Sequence, residues 1–211
     1  MVKGNPSMSK KFISRPDILK EEIMRKSIHI SCGIAISVLY TICQKNLLVI
    51  GLLFSLFIIF FFELLRFKGL VPVPFLRDKE KKKIGGHAFF MLGASLSILL
   101  FDKQIAIASI SMLAIGDAAS GIAQSVKRGT LVTLEGYKRG IKPPDVILTM
   151  FSVSFLVGYF ILDSLAMAVI GAIGATIADG VYLKICSVMI DDNLTIPLYS
   201  GFLVSLVSLT F

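Results

Sequence analysis

The stretch EEIMRKSIHISCGIAI sets Glu22, Arg25, Lys26 and His29 immediately before a run of apolar residues. At about 100° per residue their directions are about 0, 300, 40 and 340°, so all four project from one side of a helix. Such a face offers two cations to a phosphate, a carboxylate to hold them, and an imidazole able to bond a phosphate or a hydroxyl. The alternative reading is that Arg25 and Lys26 only anchor a helix at lipid headgroups. Two further carboxylates, Asp117 and Asp179, stand inside apolar runs. An ionised carboxylate in hydrocarbon costs about 2.5 kcal/mol or more unless it has a partner or a water-filled cavity, so each is a candidate functional residue. Ser120, Gly121 and Gln124 continue a polar and small stripe from Asp117, and Gly171, Gly174, Ala175 and Ala178 give Asp179 a small face suited to close helix approach. Two such faces packed together would hold both carboxylates over one cavity. Structural hydrogen bonding within a helix bundle is the competing explanation.

The elements that must position these residues are membrane helices. Of 211 residues, 55% are hydrophobic, and the charge is confined to short blocks between long apolar runs. Seven candidate spans follow: 27–43, 47–65, 84–101, 104–126, 146–162, 164–183 and 194–211. The fold class expected is an all-α integral membrane protein, a polytopic bundle of about seven transmembrane helices. Residues 1–26 form a basic N-terminal segment and 27–211 a single transmembrane catalytic domain. Only Lys45 and Lys103 fall in the turns of one side, so 20 of the 22 Lys and Arg lie on the other, which the positive-inside rule assigns to the cytoplasm. The N-terminus is then inside. This bias and an anionic leaflet suffice for the net charge of +8, and no basic stretch is interleaved with aromatics, so no nucleic-acid partner is expected. The cysteines Cys32, Cys43 and Cys186 have no metal-ligand spacing and read as buried free thiols.

With this topology every polar motif meets the cytoplasmic interface. Asp117 and Asp179 come at matching depths, about 20 Å from the outer surface. The basic loop LRDKEKKKIGGH brings Arg77, Lys79 and Lys81 to Lys83, with Glu80 among them, to the start of the third span, where Gly85 and Gly86 could present backbone N–H groups to a phosphate. A flexible membrane-entry turn is the plainer reading of the glycine pair. Neither a P-loop nor a dinucleotide-binding glycine fingerprint is present.

The ordered set EEIMRKSIH, LRDKEKKKIGGHAFFMLG, GDAASGIAQSVKRG, TLEG and DDNLTIP resembles the polyprenol kinase family of membrane enzymes. That family includes dolichol, phytol and farnesol kinases and the CTP-dependent diacylglycerol kinase. The resemblance spans about residues 22 to 200. It implies transfer of the terminal phosphoryl group of CTP to the hydroxyl of a membrane lipid alcohol at the cytoplasmic leaflet, with Mg2+ or another divalent cation. Carried over residue by residue, it puts Gly116, Asp117 and Gly121 in the nucleotide site, adds Glu135 and Gly136 from TLEG, and contributes Glu22, Arg25, Lys26, His29, Asp192, Asn193 and Pro197. Two positions depart from the pattern: Val132 stands where a lysine is usual, and Asp179 where a glutamate is. Lys127, Arg128, Lys138 or Arg139 could supply the missing charge.

Phosphoryl transfer needs metal-bound phosphates, cations to stabilise spreading charge, and a carboxylate to orient or deprotonate the attacking hydroxyl. Asp117, Asp179 and Asp192 are the expected metal ligands. Arg25, Lys26 and Arg77 are the expected phosphate contacts, and Asp117, His29 and Glu135 the expected catalytic groups. Two other readings stay open. A CTP:phosphatidate cytidylyltransferase would also bring CTP to the membrane, but its characteristic C-terminal motif is absent. A cation-coupled transporter could use two buried aspartates, yet no internal repeat is present. The lipid and the oligomeric state are not fixed by the sequence.

Overall fold

The computed structural model describes residues 15–71, 83–128, 141–181, 184–185 and 188–210. These residues are helical apart from turns and a two-residue hairpin. In chain order they form α1 (Arg15–Ile42), α2 (Lys45–Phe67), α3 (Gly86–Leu100), α4 (Lys103–Ser111), α5 (Asp117–Arg128), α6 (Pro144–Leu162), α7 (Leu165–Gly180) and α8 (Asp192–Ser208). Between α4 and α5 the rod runs without a break through one π-helical segment, Met112–Gly116. Strands β1 (Lys184–Ile185) and β2 (Val188–Met189) pair antiparallel between α7 and α8. Each of the seven apolar segments expected from the sequence is thus largely helix. The first is part of a longer helix that runs unbroken across residue 26.

Local chemistry sets the ends. At the end of α2, Gly69 adopts φ +72°, a conformation that disfavours residues with a Cβ. Its N–H reaches Arg66 O, and Leu70 N–H reaches Leu65 O, which closes the helix with a Schellman motif. Pro144 opens α6, where a missing N–H costs nothing. Ser164 caps α7 and Asp191 caps α8 through their side chains.

Among the described residues, three helical rods are long and apolar enough to cross a membrane: Lys45–Phe67, Lys103–Val126 and Pro144–Leu162. Apolar α3 and α7 are shorter, with 15 and 16 residues, which corresponds to about 22 to 24 Å of helix. The rod from Lys103 to Val126 forms the centre: Ile110, Met112 and Leu113 have no exposed surface. By contrast α2 and α6 are buried over only 28% of their spans and turn Phe54, Phe57, Phe61, Leu156 and Phe160 outward. An apolar exterior around a packed interior suits a lipid solvent.

Small residues bring the inner helices together. A Cβ at Gly174 would lie 2.9 Å from Tyr199 O and 3.0 Å from Ser200 Cα, so α7 and α8 meet nearly backbone to backbone. Pro197 in α8 has no N–H to give Asn193 O. Gly93 of α3 packs against that carbonyl, 2.6 Å from where its Cβ would be.

Candidate functional site

Asp117 is the first residue of α5, directly after the π segment. An extra residue in a helical turn rotates everything beyond it, and such segments recur at functional sites. Helix α1 lies against α5 at this level because Gly121 has no side chain: a Cβ there would be 2.5 Å from Lys26 Cε and 3.0 Å from Glu22 Oε1. The charged face of α1 consequently turns inward, while Ile23, Met24 and Ile28 turn out.

Lys26 Nζ donates to Asp117 Oδ2, and both side chains are buried. His29 Nε2 lies 3.4 Å from the same oxygen, with its ring edge-on to Phe90 at 4.4 Å between centroids. Arg25 forks onto Glu22, with Nη2 to Oε1 at 2.6 Å and Nε to Oε2 at 3.4 Å. The structure therefore gathers all four residues of the opening face. Lys26, expected at a phosphate, is on Asp117.

A second lysine arrives from the segment before α6. Ile141 bridges Val181, and Lys142 N–H donates to Gly180 O at 3.0 Å, which fixes Lys142 beside the last turn of α7. Its Nζ donates to Asp179 Oδ1 at 2.5 Å and lies 3.8 Å from Asp192 Oδ2. Burial pulls this ammonium's pKa down, but Asp179, Asp192 and Asp117 together outweigh burial and raise it. Asp191, the cap of α8, accepts from Asn193 N–H at 3.1 Å and from Asn193 Nδ2 at 2.6 Å. Burial, with Asp192 beside it, pushes the Asp191 carboxyl up to about 6.

One oxygen each from Asp117, Asp179 and Asp192 lies within 4.8 Å of the others. That spacing suits one shared hard cation, because oxygens on opposite sides of Mg2+ stand roughly 4.0 to 4.2 Å apart and those of Ca2+ roughly 4.6 to 5.2 Å. Among the described residues, no hydrogen-bond donor reaches two buried acceptors at the site, Asp179 Oδ2 and Asn193 Oδ1. An acceptor left without a donor in the interior is costly, and a cation or its water would remove that cost. The residues present fit a divalent ion.

A Cβ at Gly116 would lie 2.5 Å from Ser154 Oγ and 3.0 Å from Met150 Sδ, so this glycine serves packing against α6. Gly85 N–H points at Glu63 Oε2, 3.4 Å away, and not to open solvent. Gly86 begins α3. Arg77, Glu80, Val132, Glu135, Gly136, Lys138 and Arg139 lie outside the described residues, as do the side chains of Lys127 and Arg128.

Sequence reasoning missed two residues. Glu63 is a third buried acid inside an expected span, where only two had been counted. It pairs with Arg66 at 2.5 Å and has His87 Nε2 at 3.3 Å. The arginine three residues on was the available signal. Lys142 had none beyond the general need of a buried aspartate for a cation.

A scan of protein-family models returns no match, and searches of curated proteins and of solved structures return none.

Proposed function

We propose that the protein is a membrane-embedded, CTP-dependent kinase that phosphorylates the hydroxyl of a lipid alcohol of the polyprenol or isoprenoid type at the cytoplasmic leaflet. The observation that carries this reading is the convergence of Asp117, Asp179 and Asp192, from three helices, with Lys26 and Lys142 between them. In the bundle all seven rods would cross the membrane, with the carboxylate end in the cytoplasm. The distribution of 20 of 22 basic residues supports that orientation.

Asp117, Asp179 and Asp192 would hold Mg2+, which when bound supplies positive charge to the phosphates of CTP. Arg25, its guanidinium fixed by Glu22, would orient a phosphate at the lip of the site. The acceptor hydroxyl oxygen forms the new bond to the terminal phosphorus. The bond from that phosphorus to the bridging oxygen breaks, CDP leaves with the electron pair, and the hydroxyl proton passes to a carboxylate such as Asp117. The lipid chain stays in hydrocarbon throughout, which gives a reason for a kinase built almost wholly of apolar helices.

Buried Asp–Lys pairs also suit cation-coupled transport, and a membrane CTP site also suits cytidylyl transfer. One experiment separates the three. Protein in lipid nanodiscs is given CTP labelled in the terminal phosphate, Mg2+, and separate pools of polyprenol, short isoprenoid alcohol, diacylglycerol and phosphatidate, with every lipid product also identified by mass. Labelled phospholipid from an isoprenoid alcohol, formed faster with CTP than with ATP, is the expected result. Labelled product from diacylglycerol alone would move the assignment to diacylglycerol kinase. A CMP-bearing lipid with phosphatidate, or no lipid product in any pool, would overturn the kinase reading.

A further inference from the structure

Lys26 and Lys142 have an arrangement that the kinase reading does not by itself require. Both ammoniums sit on the carboxylates that a divalent ion would use: Lys26 on Asp117, Lys142 on Asp179 and near Asp192. Both lysines are buried, at 2% and 7% exposure. Three carboxylates and two ammoniums leave one surplus negative charge. A divalent ion added among these carboxylates would lie a few ångströms from both ammoniums. Like charges at such range in a low-dielectric interior repel strongly. The ion and the lysines therefore compete for the same oxygens.

The two kinds of cation in the site differ in freedom. Arg25 is held in a fork by Glu22. Lys26 and Lys142 each end in a compact ammonium on a flexible four-carbon stem that can turn to a new acceptor. Meanwhile Asp179 Oδ2 has no donor among the described residues, so the two lysines do not satisfy the three carboxylates.

We propose that Lys26 and Lys142 occupy the metal's place in the ligand-free protein and transfer to the nucleotide phosphates when metal and nucleotide arrive together. This rests on the kinase reading above. The consequence is coupling: metal alone is resisted by the lysines, and nucleotide removes the resistance by giving them phosphate oxygens. By linkage, metal must strengthen nucleotide binding by the same factor. A site built this way keeps most of its carboxylate charge neutralised when empty and resists metal that arrives without substrate.

The test is binding, with Mn2+ as the probe, on the purified full chain in nanodiscs. Free Mn2+ is read by its paramagnetic resonance, and CTP binding is read separately in EDTA. Lys26→Met and Lys142→Met are each expected to bind Mn2+ alone at least tenfold more tightly than wild type, and CTP without metal at least tenfold more weakly. Lys26→Gln and Lys142→Gln keep an N–H donor on each carboxylate while removing the charge, and they should shift both affinities in the same directions if the methionine variants fail to insert. Unchanged or weaker Mn2+ binding in the variants, with wild type binding Mn2+ and CTP, overturns the place-holding role and leaves the kinase reading intact. Unchanged CTP binding with tightened Mn2+ binding shows lysines that only neutralise, and overturns the transfer. If wild type binds neither ligand when Mn2+ and CTP are supplied together at millimolar concentration, the kinase reading itself fails.

Discussion

The two ends of the bundle use lysine in opposite ways. At one end Lys26 and Lys142 are buried on Asp117 and Asp179. At the other, exposed Lys103 donates to Thr41 O at 3.0 Å and lies over the Tyr40 ring, Lys45 donates to Leu99 O at 3.2 Å, and Gln104 donates to Ile161 O at 2.7 Å. These three cover the last carbonyls of α1, α3 and α6, which have no helical donor and carry the negative end of the helix dipole. Such caps stabilise ends and keep their charges in water. The buried pairs do not have that justification, because replacing a buried ion pair with apolar residues is often neutral or stabilising. A lysine beside a carboxylate in the interior is therefore better explained by chemistry than by stability.

The comparison breaks most easily at Asp117. Replacing Asp117 with Asn together with Lys26→Met removes both charges of one pair. It should lower phosphoryl transfer by about 10³-fold, or about 4 kcal/mol, with insertion retained. Turnover in reconstituted vesicles checks this. Next comes Lys142→Ala, which strands Asp179. The loss of stability should be about 3–5 kcal/mol, a fall in melting temperature of roughly 10 °C in a thermal-shift assay. Smaller is Gly121→Val, whose added carbons meet Lys26 Cε and Glu22. Displacing α1 from α5 should cost about 1–3 kcal/mol and reduce turnover about tenfold. Smallest is Lys103→Ala at the opposite end, expected to change stability by about 0.5–1.5 kcal/mol and turnover not at all.

Much of this contrast was legible in the sequence, for a physical reason. Apolar runs and period-3.6 faces are local properties. They located the helices, the face from Glu22 to His29, and Asp117 and Asp179, whereas Asp192 came from the resemblance alone. What was not legible depends on contacts distant in the chain. Lys142 is one lysine among many in a polar stretch until Ile141 pairs with Val181, 40 residues on, and aligns it with Asp179. The π segment before Asp117 has no marker in MLAIG, since packing against α6 and α7 selects it. Gly85 and Gly86 looked like a phosphate cradle because glycine permits one. In the structure the Gly85 N–H faces Glu63 Oε2 of the neighbouring helix, 3.4 Å away.

The central claim is that chemistry belongs to the carboxylate end alone. The most direct measurement is the initial rate of phosphate transfer from labelled CTP to a membrane alcohol in vesicles holding equal amounts of inserted wild type, Asp179→Asn and Lys103→Ala. The expected result is transfer by wild type, full transfer by Lys103→Ala, and a rate at least about 10³-fold lower for Asp179→Asn. Equal rates for the two variants, or a greater loss in Lys103→Ala, would contradict it.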